Sequence, residues 1–203
     1  QWANQYKSIN LVADSNDAEH NESWPRVRTN HYWFDLNRDW LLAIHPESRG
    51  KLNWLHEWYP NVVLDVHEMG TNSNYFFDPM KSSASVKPLI PQENVDLYPI
   101  FAEYYVKYMD SIGSFYYTKE SFDETYPGYG STYSDLQGGL ALLFEQASSR
   151  GHVQETNYGE MTFGFTIRNQ FLNGIATVEA AVDNKILLSC LLYTSDAADD
   201  SYR

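Results

Sequence analysis

Two short apolar runs limit most strongly what this chain can fold into. Residues 62–66 read Val-Val-Leu-Asp-Val, and residues 140–144 read Leu-Ala-Leu-Leu-Phe. Such runs are typical of strands that are buried on both faces of a sheet. Apolar residues recur at steps of three or four over residues 47–59, 93–112 and 163–182, which predicts three helices. The alternation predicts a single α/β domain with a mixed, largely parallel sheet and helices on both faces.

Composition and charge exclude several classes of protein. The chain is 43% hydrophobic and 16% aromatic, which is enough to build a core and argues against wholesale disorder. Its net charge of −13 argues against partners such as nucleic acid and anionic membrane surfaces. No apolar run approaches the roughly 18–20 residues that cross a bilayer. With a single Cys, an internal disulfide is impossible, and any metal must be held by His and carboxylate.

The two ends of the chain suggest a fragment. It begins with Gln1 and has no charged-then-apolar leader, so we expect either a cleaved leader or a start partway through a gene. From Cys190 the sequence reads CLLYTSDAADD, which resembles the translation of an adapter used in preparing DNA for sequencing. A natural polar tail after a helix is the alternative. We therefore treat residues 1–189 as the folded part and residues 190–203 as a non-native tail.

Chemically active side chains follow both predicted strands. The first strand runs into His67, and the second runs into Glu145. In open α/β sheets, reactive groups collect at the carboxyl ends of strands, and His and Glu are common metal ligands and bases. Each residue also has a plainer interpretation. His67 could be a hydrogen-bonded residue at a strand end, and Glu145 could form a salt bridge with Arg150.

Four motifs in order resemble the zinc metallocarboxypeptidases, in particular a bacterial, largely secreted branch. They are Asp-Leu-Asn-Arg-Asp at residues 35–39, Asp-Val-His-Glu-Met-Gly at 65–70, Tyr-Pro-Gly-Tyr-Gly-Ser at 126–131, and Phe-Glu-Gln-Ala-Ser-Ser-Arg-Gly at 144–151. The resemblance spans about residues 26 to 182. It implies a carboxypeptidase-like fold, a Zn²⁺ cofactor, a peptide substrate with a free C-terminal carboxylate, and a secreted or periplasmic location.

The resemblance also implies roles for particular residues. Asn37 and Arg38 would bind the terminal carboxylate of the substrate, as a guanidinium fork suits a carboxylate. His67 would be a zinc ligand, and Glu145 the general base. Arg28, or the nearby Arg26, would stabilise the oxyanion. Tyr126 or Tyr129 would cover the bound substrate.

Part of the family pattern is absent from the sequence. The first two zinc ligands of the family belong to a His-x-x-Glu upstream of the Asn-Arg motif, and nothing before Arg28 fits. The one His-x-x-Glu present, His152 to Glu155, follows the second strand and is in the wrong order. We expect the missing ligands upstream of Gln1. Asp39 stands where the family often has Asn, so it places a negative charge beside Arg38 or pairs with it.

The sequence leaves alternative functions open. A zinc deacylase or amidohydrolase of the same fold would use the same residues on a small acyl-amino acid. A non-catalytic module that binds peptides or glycans would explain the many Trp and Tyr residues, although not the ordered motifs. A pseudo-enzyme that never had the first two ligands is a further possibility.

Overall fold

The structure is a computed structural model that describes residues 29–81, 89–150 and 152–200, with side chains described as far as residue 193. Its helices are α1 (Pro46–Trp58), α2 (Gln92–Ser111), α3 (Gly130–Asp135), α4 (Phe163–Asp183) and α5 (Lys185–Asp200), with a 3-10 turn at Leu36–Arg38. Its strands are β1 (Val62–Met69), β2 (Tyr75–Phe77), β3 (Tyr116–Tyr117), β4 (Leu140–Ala147), β5 (Val153–Thr156) and β6 (Gly159–Thr162).

A four-stranded mixed sheet forms the centre, in the order β1-β4-β2-β3. Strand β1 pairs with β4 in parallel, β2 runs antiparallel to β4, and β2 pairs with β3 in parallel. Strands β5 and β6 form a separate antiparallel hairpin. Both apolar runs are therefore strands, and they are neighbours in the sheet. The predicted α/β class with a largely parallel sheet is confirmed.

Helices cover both faces of the sheet. Side chains alternate along each strand, so apolar side chains lie on both faces and pack against helices there. Leu140, Leu142 and Phe144 of β4 pack on one face in the main core, together with side chains of α2, α4 and α5. On the other face, Val63 of β1 packs against a smaller cluster from α1 and α3 that includes Leu52. The predicted arrangement with helices on both faces is therefore also confirmed.

Two segments that the sequence indicated only as loops contain regular structure. Residues 71–93 include β2, whose three aromatic side chains are fully buried, and residues 121–139 include the short helix α3. Three residues are too few to show a periodicity of apolar side chains, so the sequence has no pattern that predicts strand β2. No described helix is long and apolar enough to cross a membrane.

Helix α4 forms where its periodicity predicted a helix, but it packs through a different face. The six apolar side chains of the predicted stripe are between 40% and 65% exposed: Phe163, Ile167, Phe171, Ile175, Val178 and Val182. The buried face carries Asn169, Ala176 and Thr177 instead. Asn169 Nδ2 donates to Gln146 Oε1 at 2.9 Å, and Thr177 Oγ1 lies 3.1 Å from Tyr105 OH. These polar contacts orient the helix and leave the apolar stripe on the surface.

Helix α5 continues through residue 190, where the sequence placed the start of a non-native tail. Leu188 and Leu191, on either side of that boundary, are both buried in the main core. The boundary thus falls inside one helix. The origin of residues 190–203 stays a prediction.

The carboxyl groups of Asp78, Glu124 and Asp135 are buried close together. Tyr98 OH lies 2.5 Å from Asp135 Oδ2 and 3.1 Å from both carboxyl oxygens of Glu124. The Tyr98 hydroxyl has one proton, and the shorter contact shows that it donates this proton to Asp135. Glu124 therefore fits beside Tyr98 as a protonated acid that donates its own proton to the Tyr98 oxygen. Burial, with the nearby charges of Asp78 and Asp135, raises the pKa of Glu124 to about 10. Burial also raises the pKa of Asp78 to about 8.

Stability should therefore fall as the pH rises above about 5. The unfolded chain releases the Glu124 proton near the ordinary pKa of 4.5, whereas the folded state retains it up to a pKa of about 10. The stability that this proton contributes at low pH is therefore lost as the pH rises from the first value to the second. Glu124→Gln keeps the neutral shape and removes the titration. We expect urea unfolding between pH 6 and 9 to show a slope shallower by up to about 1.4 kcal/mol per pH unit. Glu103→Gln, at an exposed site, is the control and should leave the slope unchanged; an equal change in both would contradict the assignment.

Candidate functional site

The two reactive strand ends lie side by side. His67 of β1 and Glu145 of β4 are register partners in the parallel pair, and adjacent strands are about 4.8 Å apart. Both side chains line one cavity of about 220 Å³, which also contains Asn37, Arg38 and Tyr129. Five of the residues that the sequence singled out therefore surround one space at the carboxyl ends of the strands.

Asn37 fastens the 3-10 turn to the sheet. Its Oδ1 accepts hydrogen bonds from Trp40 Nε1 at 2.8 Å and from the backbone N–H of Gly130 at 2.9 Å. Its Nδ2 lies 3.1 Å from His67 Nε2 and 3.3 Å from Asp65 Oδ2. A Cβ on Gly130 would come within 2.8 Å of Asp65 Oδ2, so glycine permits this close approach. The Asn37 amide is thus engaged on both sides, and in this arrangement it positions the site.

Asp65 is a site residue that sequence reasoning did not single out. Its Oδ1 lies 2.7 Å from His67 Nε2, and its Oδ2 is the oxygen near Asn37. When a neutral His67 donates from Nε2 to Asp65, the lone pair is on Nδ1, which is the form that a metal ligand requires. The signal was available in the motif, because residues two apart on a strand face the same side.

Arg38 is held by aromatic and acidic neighbours. Its guanidinium lies 4.4 Å from the centroid of the Tyr129 ring, and its Nη1 is 3.8 Å from Asp35 Oδ2. Tyr126 OH donates to the carbonyl of Arg38 at 2.9 Å, and the two tyrosine rings meet edge to face with centroids 5.3 Å apart. The Arg38 side chain is 46% exposed, so its charge faces the open cavity and could meet an anion there.

The remaining candidates lie elsewhere. Arg28, together with the alternative Arg26, is outside the described residues. His152 directly precedes β5 and Glu155 lies in β5, and neither residue lines the cavity.

Asp39 is buried. Burial by itself would raise the pKa of Asp39, but the backbone N–H groups of His45 and Ile44 donate to its carboxylate and hold the pKa below its usual value.

The described residues do not complete a metal site. No group of three or more His, Cys, Asp and Glu side chains in the described part of the chain is arranged to hold a metal ion. A zinc site needs about three protein ligands, and His67 is the one candidate ligand that the motifs provide here. The donor set among the residues that the structure describes is therefore insufficient for zinc.

Comparisons with known proteins support the fold. Neither a protein-family model nor a curated protein sequence matches the chain. Among solved structures, the chain matches the crystal structure of a metallo-carboxypeptidase from Burkholderia cenocepacia with a TM-score of 0.54 and 19% sequence identity. The match covers 77% of this chain and 40% of the other. The chain therefore has a carboxypeptidase-like α/β fold, and it spans about two fifths of the length of that structure.

Proposed function

We propose that this chain is the C-terminal portion of the catalytic domain of a zinc-dependent carboxypeptidase, which removes the last residue from a peptide. One observation carries the proposal: His67 and Glu145 are register partners that face a single cavity, with Arg38 on its wall. A metal ligand, a base and a carboxylate-binding cation are the groups that such a reaction needs.

Each residue has a distinct role in this proposal. Arg38 binds the terminal carboxylate of the substrate, oriented by the Tyr129 ring and Asp35. Glu145 takes a proton from the attacking water and passes it to the leaving amine. Asn37 holds the turn in place, and Asp65 accepts the hydrogen bond that orients the His67 ring. Arg28 is the candidate for stabilising the oxyanion, and Tyr126 and Tyr129 are the candidates for covering the substrate.

Zinc would act as the Lewis acid for this hydrolysis, and its other ligands would come from polypeptide upstream of Gln1. Two features support this part of the proposal. Strand β1, which carries His67, lies at an edge of the sheet formed by the described strands, so a further strand could pair with it. The apolar stripe of α4 offers a surface of the kind that contacts other polypeptide. A secreted or periplasmic location belongs to the same proposal.

The deciding experiment compares two substrates in the protein completed at its N-terminus. An N-terminally blocked peptide and a short N-acyl amino acid are incubated separately, and products are followed by mass spectrometry. Stepwise loss of C-terminal residues from the peptide supports the carboxypeptidase. Hydrolysis of the acyl-amino acid alone would indicate the deacylase, and no hydrolysis of either would indicate a binding module or a pseudo-enzyme.

The 203-residue chain by itself should bind zinc weakly and show no peptidase activity. Zinc sites need about three protein ligands, and the motifs supply His67 alone. Elemental analysis after dialysis should give well under one zinc per chain, and His67→Ala should change that value little. Stoichiometric zinc that is lost in His152→Ala would show that the His152 to Glu155 pair binds metal after all.

A further inference from the structure

A second cavity lies on the opposite face of the sheet from the first. It has a volume of about 180 Å³ and opens between the β5–β6 hairpin and the start of α4. Gln146 of β4 lines it, whereas the preceding residue, Glu145, lines the first cavity. Successive side chains of a strand point to opposite faces, so β4 separates the two spaces. The two cavities have no lining residue in common.

The floor of this cavity is polar and almost fully buried. It contains the side chains of Gln146, Asn169 and Ser114. Asn169 Nδ2 donates to Gln146 Oε1 at 2.9 Å, but Asn169 Oδ1 and Ser114 Oγ have no hydrogen-bond partner among the described residues. A buried acceptor without a donor is unfavourable, so a ligand with O–H or N–H groups would be stabilised here.

The mouth of the cavity carries two aromatic rings. Phe115 and Tyr158 are 68% and 62% exposed, and their ring centroids are 6.1 Å apart. Large aromatic side chains that remain exposed beside a pocket give a ligand an apolar surface on which to lie. The site therefore combines apolar faces at its mouth with hydrogen-bonding groups at its floor.

The charges around the cavity disfavour the binding of anions. None of the described residues that line it is Lys, Arg or His, and Glu160 adds a carboxylate. The whole chain also has a net charge of −13. An acidic ligand would lose its hydration without meeting a positive group.

We propose that this cavity binds one ring of an uncharged saccharide. A sugar ring has an apolar face to lie on Phe115 and Tyr158, and hydroxyls that donate to Asn169 Oδ1 and pair with Ser114 Oγ. A purely aromatic ligand would leave those two buried groups unpaired. A sugar bound there lies across the sheet from the first cavity, so it would hold the protein on glycan-bearing material and take no part in hydrolysis.

The test titrates the 203-residue chain with N-acetylglucosamine, followed by calorimetry and ligand-observed NMR. We expect saturable binding with a Kd of about 1 mM. Phe115→Ala and Tyr158→Ala should each weaken binding by about fivefold or more, and both sites are exposed, so circular dichroism should be unchanged. Tyr32→Ala, which removes an equally exposed ring from a loop outside the cavity, is the matched control and should bind like the wild type.

Ser114→Ala tests the floor with the loss of a single oxygen and should weaken binding about threefold to tenfold. Glucuronate, the acidic counterpart, should bind at least about tenfold more weakly than N-acetylglucosamine. Absence of saturation up to about 50 mM would overturn the proposal. So would unchanged binding in Phe115→Ala and Ser114→Ala, or tighter binding of tetramethylammonium, which would mark a site for cations.

Discussion

Glu145→Gln, made in the protein that carries the upstream ligands, should lower kcat by about 100-fold or more while KM changes little. Gln has the shape of Glu but cannot take a proton, so substrate binding is retained and the base is lost. Glu145 lies near the carboxyl end of β4 as the register partner of His67, and the substitution preserves that backbone register. Steady-state kinetics on a blocked peptide give kcat and KM separately.

Glu68→Gln is the matched control for this experiment. Glu68 is one residue from His67 on β1, is exposed, and accepts a hydrogen bond from Ser148 Oγ at 2.8 Å. It is not among the residues that line the first cavity. Its substitution should leave kcat within about twofold of the wild type. A Glu145→Gln variant that retained a tenth of the activity, or an equal loss in Glu68→Gln, would remove Glu145 from the mechanism.

Arg38→Ala should abolish the preference for substrates with a free C-terminal carboxylate. Loss of one partner of a buried charged pair costs about 2–5 kcal/mol. The Arg38 side chain is 46% exposed, so we expect the lower end, about 2 kcal/mol, or roughly 30-fold in kcat/KM. The measurement compares a peptide acid with its C-terminal amide. The wild type should strongly prefer the acid, and the variant should hydrolyse both at similar rates.

Arg49→Ala provides the control for general loss of positive charge. Arg49 donates from Nη1 to the carbonyls of Ala43 and Ile44, in the loop that follows the 3-10 turn, and does not line the first cavity. It should retain the preference for the acid. Equal rates on acid and amide in the wild type would exclude recognition of the carboxylate and favour the deacylase.

The sequence alone was sufficient for the elements with strong local patterns. The runs that became β1 and β4 are largely apolar at successive positions, and this pattern is typical of strands that are covered on both faces of a sheet. The motifs then placed His67 and Glu145 at the ends of those strands. The structure then shows that the two strands are parallel neighbours, and this pairing brings the two residues close together.

The tertiary structure alone decided which partners these elements meet. The periodicity of α4 predicted a helix, yet its apolar stripe is exposed, and Asn169 and Thr177 lie on the buried side. The engagement of the Asn37 amide and the contact of Asp65 with His67 are likewise visible only in the folded chain.

The buried carboxyl cluster and the second cavity depend on tertiary structure even more. The cluster joins Asp78 to Glu124 and Asp135, which follow it by more than 40 residues in the sequence. The floor of the second cavity joins side chains from three separate segments: Ser114, Gln146 and Asn169. A local pattern reports the periodicity of one segment, which is set by backbone geometry and average burial. It does not report the hydrogen-bond partners that distant segments supply, and those partners decide which polar groups a fold can bury.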